Sequence, residues 1–107
     1  MKRAEIYWTR FDPVEGSEIG KTRPAVIVSL DVLNERLETV VVCPLTSVLR
    51  PHWQTRLTIT AAGRAADICA DQIRVVSKHR LGKKLGKLSP RDATTLRRLL
   101  GEMYADS

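Results

Sequence analysis

The chain has 107 residues, 43% of them apolar but only five aromatic, and a net charge of +6 with a pI of about 9.8. That length holds one domain, 1–107, with a core of Val, Ile, Leu and Ala, and leaves no room for a separate regulatory domain. No stretch approaches the roughly 18 apolar residues of a membrane span. Met1-Lys2-Arg3 leads into Ala-Glu-Ile-Tyr-Trp rather than a signal peptide's apolar run, so the expected location is the cytoplasm.

The charge is uneven. Residues 1–50 carry seven Lys/Arg and seven Asp/Glu, whereas residues 51–107 carry eleven and five, so the whole excess lies in the second half. Such asymmetry points to a polyanionic partner, or to a solvated basic face. Cys43 and Cys69 lack C-x-x-C spacing and lie in apolar runs, which favours buried thiols over a disulfide or redox pair.

In chain order, residues 4–9 read as a first strand, ended by Phe11-Asp12-Pro13. Residues 14–22 form a polar loop with Gly16 and Gly20. Residues 24–30 and 39–45 are apolar runs of strand length, buried on both faces. One helical turn, residues 31–36, separates them. Pro44 cannot donate to a ladder, so the second run must bulge or lie at an edge there. A loop, 46–53, leads to an alternating half-exposed strand, 55–60, and then to a turn at Ala62-Gly63-Arg64. Residues 66–77 read as one extended stretch and 78–87 as a basic connector. Ser89 as cap, Pro90 at the first position and Asp92 at the third start a helix, 90–104, whose stripe is Ala93, Leu96, Leu100 and Met103. About five short strands and one helix fit a mainly β domain, a small barrel with a C-terminal α-helix against it.

No Gly-rich phosphate loop, H-E-x-x-H or paired Cys/His spacing is present, so no metal or cofactor is expected. Arg23 stands between a flexible loop and a buried strand, a position that anchors its backbone and lets its guanidinium fork meet a phosphate. Thr46 and Ser47 leave the second buried strand with hydroxyls able to bond phosphate oxygens. Asp71 and Gln72 interrupt an apolar stretch, where a polar pair either ties loops or faces a site. Each has a plainer reading, as surface residue, turn former or loop bridge.

The order E-I-Y-W-x-x-F-D-P, G-S-E-I-G-K-T-R-P-A-V-I-V-S, C-P-L-T-S and A-D-Q-I-R, followed by the helix, resembles the MazF/PemK mRNA interferases from Glu5 to about Leu100. The resemblance implies an SH3-like β-barrel of the CcdB/PemK kind, acting as a homodimer. It implies metal-independent cleavage of single-stranded RNA, in which the 2′-OH attacks the phosphorus to leave a 2′,3′-cyclic phosphate and a 5′-OH. Arg23 matches the family's catalytic Arg, Thr46 its catalytic Thr and Glu18 its loop Glu, while Asp71 matches an acidic residue of the PemK branch. That branch has a His where this chain has Ser17 and an Arg where it has Cys69, so its acid–base pairing is lost and the MazF-like Arg23–Thr46 arrangement remains. A guanidinium accepts protons poorly, which makes Glu18 the better base. Lys21, Arg74, Lys78 and Arg80 would hold flanking phosphates, with Lys83 beside them, and Trp53 would stack on a base. An antitoxin with an acidic, disordered segment is the implied partner. Two other readings stay open: a CcdB-like toxin that poisons DNA gyrase, and a barrel that binds nucleic acid without cutting it.

Overall fold

Two runs with both faces apolar form the centre of the molecule. The computed structural model describes residues 1–11, 16 and 21–105. β1 (Glu5–Arg10) pairs with β2 (Thr22–Ile27), and β2 pairs with β3 (Thr39–Thr46), all antiparallel. Alternate residues of β2 and β3 enter opposite cores. Val26, Cys43 and Leu45 join Ile6, Ile59, Ile68, Leu88 and Leu96 in one; Ala25, Ile27, Val40 and Val42 join Phe11, Val76 and Leu81 in the other. A strand covered on both sides loses its polar–apolar alternation, which is why these segments read as continuous apolar runs.

β3 is the hub. Thr39–Val42 pair with β6 (Arg74–Ser77), and Leu45 and Thr46 pair with β5 (Arg64–Cys69). Pro44 lies in the gap between these two partners. The Val28 N–H donates to the Val41 carbonyl opposite it, so Val26–Cys43 is the next hydrogen-bonded pair and the nitrogen of Pro44 faces away from β2, into that gap. The expected break at Pro44 is thus a change of partner within a central strand. β4 (Arg56–Ala61) and β5 form a hairpin around Ala62 and Gly63, both with positive φ (51° and 77°), the two-residue turn whose twist suits a hairpin.

Two expectations are corrected. Residues 66–77 are not one extended stretch, because a 3-10 turn, Ala70–Gln72, separates β5 from β6. The basic connector is a 3-10 turn, Lys78–Arg80, followed by β7 (Leu81–Lys87), which pairs with β1 through two register shifts. Lys and Gly disfavour strands, but β7 lies at the end of the sheet path β4-β5-β3-β2-β1-β7, where lysines are at home because they blunt an exposed edge.

Short α1 (Asp31–Arg36) returns the chain from β2 to β3, with Asn34 hydrogen-bonded to Ser29. α2 (Pro90–Tyr104) starts as its caps predict, the Ser89 hydroxyl accepting the Asp92 N–H at 3.1 Å. Leu96 is buried in the first core, with Ala93 and Leu100 packed beside it; truncating such a leucine costs roughly 2–5 kcal/mol. The Tyr104 hydroxyl donates to the Ala70 carbonyl, tying the helix end to the 3-10 turn. Among the described residues, no helix is long and apolar enough to cross a membrane.

Candidate functional site

Pro24 opens the site. Continuing the β2–β3 register, Pro24 is the next residue due to donate to β3, and it has no N–H. The ladder ends at Ala25–Pro44, and the same register carried two residues further sets Arg23 against Thr46. Both line a groove of about 910 Å³, together with Lys21 and Ser47. Ile6, Leu45, Leu85 and Leu88 provide apolar lining, and Trp8, Arg64, Lys87 and Ser89 also border it. Lys21 turns the chain into β2 with a φ of 64°, a left-handed conformation uncommon for a non-glycine residue.

Thr46 is nearly buried, at 7% exposure. Its hydroxyl accepts the Val48 N–H at 3.2 Å, the bond of a Ser/Thr turn. This fixes the oxygen and leaves its proton to donate. Thr46 is thus a turn former, and that bond does not use up its hydroxyl proton.

Beyond Thr46 lies a cluster of charges. Asp67, the β5 partner of Thr46, is fully buried. It accepts from the Arg50 N–H at 2.6 Å and the Thr58 hydroxyl at 2.5 Å. Arg56 lies 3.8 Å from Asp67 and 3.6 Å from Asp71. Its Nε and Nη1 are buried without a hydrogen-bond partner, so these contacts are charge pairing rather than directed bonds. The Arg56 guanidinium also lies 4.9 Å from the ring centroid of Trp53, which Arg50 approaches at 5.7 Å. Cys69, across β4–β5 from Arg56, sits among these groups. Burial pushes its thiol up to about 11; Arg56 and Arg23 pull against that, while Asp71 and Asp67 add to it. Burial likewise raises Cys43 to about 12. Both thiols are free and buried, as expected of small hydrophobes.

The candidates named from sequence divide accordingly. Arg23, Thr46, Ser47 and Lys21 share the groove. Glu18 lies outside the described residues. Asp71 and Gln72 sit on the 3-10 turn, not in a strand interior as expected, and Asp71 pairs with Arg56. Trp53 is half exposed beside its two arginines and does not line the groove. Arg74 covers the Phe11 ring at 5.5 Å, and Arg80 donates to the Arg10 carbonyl at 3.2 Å. Neither lines the groove, nor does Lys78. The groove's cations come from both halves of the chain, so the excess in the second half did not locate it. Asp67, Arg56 and Trp8 were missed. The one signal for Asp67 was an acid inside the apolar run A-A-D-I-C. Among the described residues no three His, Cys, Asp or Glu converge on a metal position.

A curled sheet of seven described strands, a C-terminal helix and a groove rimmed by Lys and Arg with hydroxyls in its wall define a small barrel protein suited to a polyanion. Comparison with known proteins makes this specific. Residues 2–104 match the PemK-like, MazF-like toxins of type II toxin–antitoxin systems, and the chain belongs to that family. It is 35% identical over 94 residues to the endoribonuclease MazF of Staphylococcus saprophyticus, covering 83% of this chain and 78% of that one. It is 33% identical over 105 residues to endoribonuclease MazF9 of Mycobacterium tuberculosis, covering 90% and 89%. The crystal structure of MazF from Deinococcus radiodurans superposes with a TM-score of 0.84 at 25% identity, covering 96% and 94%.

Proposed function

We propose that this chain, an endoribonuclease among the MazF-like toxins, cuts single-stranded RNA by attack of a ribose 2′-OH on the neighbouring phosphorus. The 2′-oxygen bonds to phosphorus, the bond to the 5′-oxygen breaks, and the products are a 2′,3′-cyclic phosphate and a 5′-OH. The observation that carries this reading is the meeting of Arg23 and Thr46 at one groove where their ladder stops. Arg23 neutralises the charge that builds on the phosphorane-like transition state, a role for a fixed cation in a partly dry site. Thr46, its oxygen held by the Val48 N–H, donates to a phosphate oxygen. Glu18 takes the 2′-OH proton, the departing 5′-oxygen takes one from water, and Ser47 and Lys21 help to seat the strand. Trp53 stacks on a base flanking the cut. Asp71, paired with Arg56, and Gln72 beside it on the 3-10 turn help to position the substrate, while Arg74, Lys78 and Arg80 contact phosphates outside the groove. Single strands suit the reaction because a regular duplex denies the 2′-oxygen an in-line approach.

In this reading the toxin acts in the cytoplasm as a homodimer, restrained by an antitoxin with an acidic disordered segment. Leu30, Leu33 and Leu37, at helical spacing and 44–50% exposed, offer a second copy apolar surface to bury. A mixed-sequence RNA incubated with the protein in EDTA tests the chemistry. Fragments with 5′-OH ends are expected, and an RNA with a 2′-deoxy residue at the cut should resist. Binding without cleavage would favour a non-catalytic barrel, gyrase poisoning without RNA cleavage would favour the CcdB-like mode, and a cut deoxy substrate would sink the mechanism.

A further inference from the structure

Asp67 is wholly excluded from solvent, yet the chemistry above gives it nothing to do. A carboxylate so placed must be compensated by hydrogen bonds and paired charge, or its burial opposes folding. Two of its partners, Thr58 and Arg56, belong to β4, and the third is the backbone of a short turn. Oδ2 accepts the Arg50 N–H at 2.6 Å, and Oδ1 accepts the hydroxyl of Thr58, its β4 neighbour, at 2.5 Å. Arg50 follows Thr46 by four residues, and Thr46 is the partner of Asp67 in the β3–β5 ladder. The near end of the turn is closed by the Thr46 hydroxyl on the Val48 N–H. Asp67 closes the far end. Ser47, which lines the groove with Thr46, lies inside the first closure.

We propose that Asp67 is a positioning residue, which holds the Thr46–Arg50 turn so that the Thr46 hydroxyl is presented to the groove in one geometry. The proposal rests on the nuclease reading. A reacting group displaced by about an ångström can lose up to about a hundredfold in rate, so a pinned turn matters more to turnover than to substrate binding.

The test compares wild type, Asp67→Asn, Thr46→Val and the double variant on one RNA, with kcat and KM separated. Amide exchange at Val48 and Arg50 is followed by NMR. Asp67→Asn is expected to lower kcat about tenfold, to leave KM within about twofold and to speed exchange at Arg50 by about tenfold or more. Thr46→Val is expected to lose about a hundredfold. The double variant should be no slower than Thr46→Val alone, because a hydroxyl that is gone needs no positioning. Losses that multiply in the double variant, or an Asp67→Asn protein with wild-type kcat and exchange, would overturn the proposal. Thr58→Val keeps the carboxylate and removes one of its bonds, so it carries the same test if Asp67→Asn does not fold. Its smaller loss should also vanish on the Thr46→Val background, and a loss that persists there counts against the proposal. The exchange measurement separates the two readings. Protection at Arg50 that Asp67→Asn removes supports the pinned turn even in a protein that cuts no RNA, an outcome that would sink the nuclease reading alone.

Discussion

Arg23 and Thr46 leave neighbouring strands where Pro24 ends the ladder between them, so a cation and a hydroxyl border the same groove. The cation is held at the mouth of a strand whose next residues, Ala25 to Ile27, are buried. The backbone at Arg23 is therefore fixed by packing that its own side chain does not provide. Arg23→Ala should cost about 1 kcal/mol of folding stability or less, while cleavage of RNA falls by about a hundredfold or more. Arg23→Lys should recover part of that loss, since an ammonium restores the charge but not the two-pronged donor. Steady-state cleavage beside a thermal melt checks both, and a well-folded alanine variant with nearly full activity would remove Arg23 from the chemistry.

The groove offers more than charge. Lys21, Arg23, Arg64 and Lys87 border it, and Ile6, Leu45 and Leu88 lend it apolar surface. An acidic segment with interspersed apolar side chains matches both features, and a disordered one can fold into place as it binds. The antitoxin peptide should therefore compete with RNA and weaken with salt, because screening shortens from about 10 Å at 0.1 M to about 3 Å at 1 M. Peptide affinity measured across ionic strength, with RNA as competitor, reads this directly. Salt-insensitive binding that leaves RNA bound would place the antitoxin elsewhere.

Glu5 gives an acid-dependent contribution to stability. Burial raises its pKa, but bonds from Lys84 (2.5 Å), the Lys2 N–H (2.6 Å) and Tyr7 (3.0 Å) outweigh that and bring the carboxyl down to about 2. A group whose folded pKa is depressed stabilises the fold above its unfolded pKa, here near 4.5, and the contribution drains away as pH falls towards 2. Because Lys84 belongs to β7 and Glu5 to β1, the lost contact lies at the sheet's last strand. Denaturant melts of wild type and Glu5→Gln should differ at pH 6 and converge as pH drops towards 2. A gap that stays constant across that range would show that the carboxylate's charge is not the source.

Much of this molecule is written in local pattern. The caps at Ser89 and Pro90 and the apolar stripe through Leu96 specify α2, because capping and a 3.6-residue period need no distant partner. The continuous apolar runs of β2 and β3 announced strands buried on both faces. Pro44 announced a break in pairing, though not that the break would be an exchange of β6 for β5. Arg23, Thr46 and Ser47 were legible as candidates because each adjoins a buried strand, and the match of four ordered motifs to one family did the rest.

What the tertiary structure decided depends on registry between strands distant in sequence. Nothing in L-G-K-K-L-G-K favours a strand; β7 forms because β1 has an open edge to satisfy. Arg74 and Arg80 read from sequence simply as cations, but the fold gives each a partner more than sixty residues away, the Phe11 ring and the Arg10 carbonyl. Asp67 became the keeper of the turn after Thr46 only when β4, β5 and β3 aligned to bring Thr58, Arg56 and the Arg50 N–H around one buried carboxylate. A side chain's type is fixed by sequence, but its partner is set by the strand that packing brings beside it.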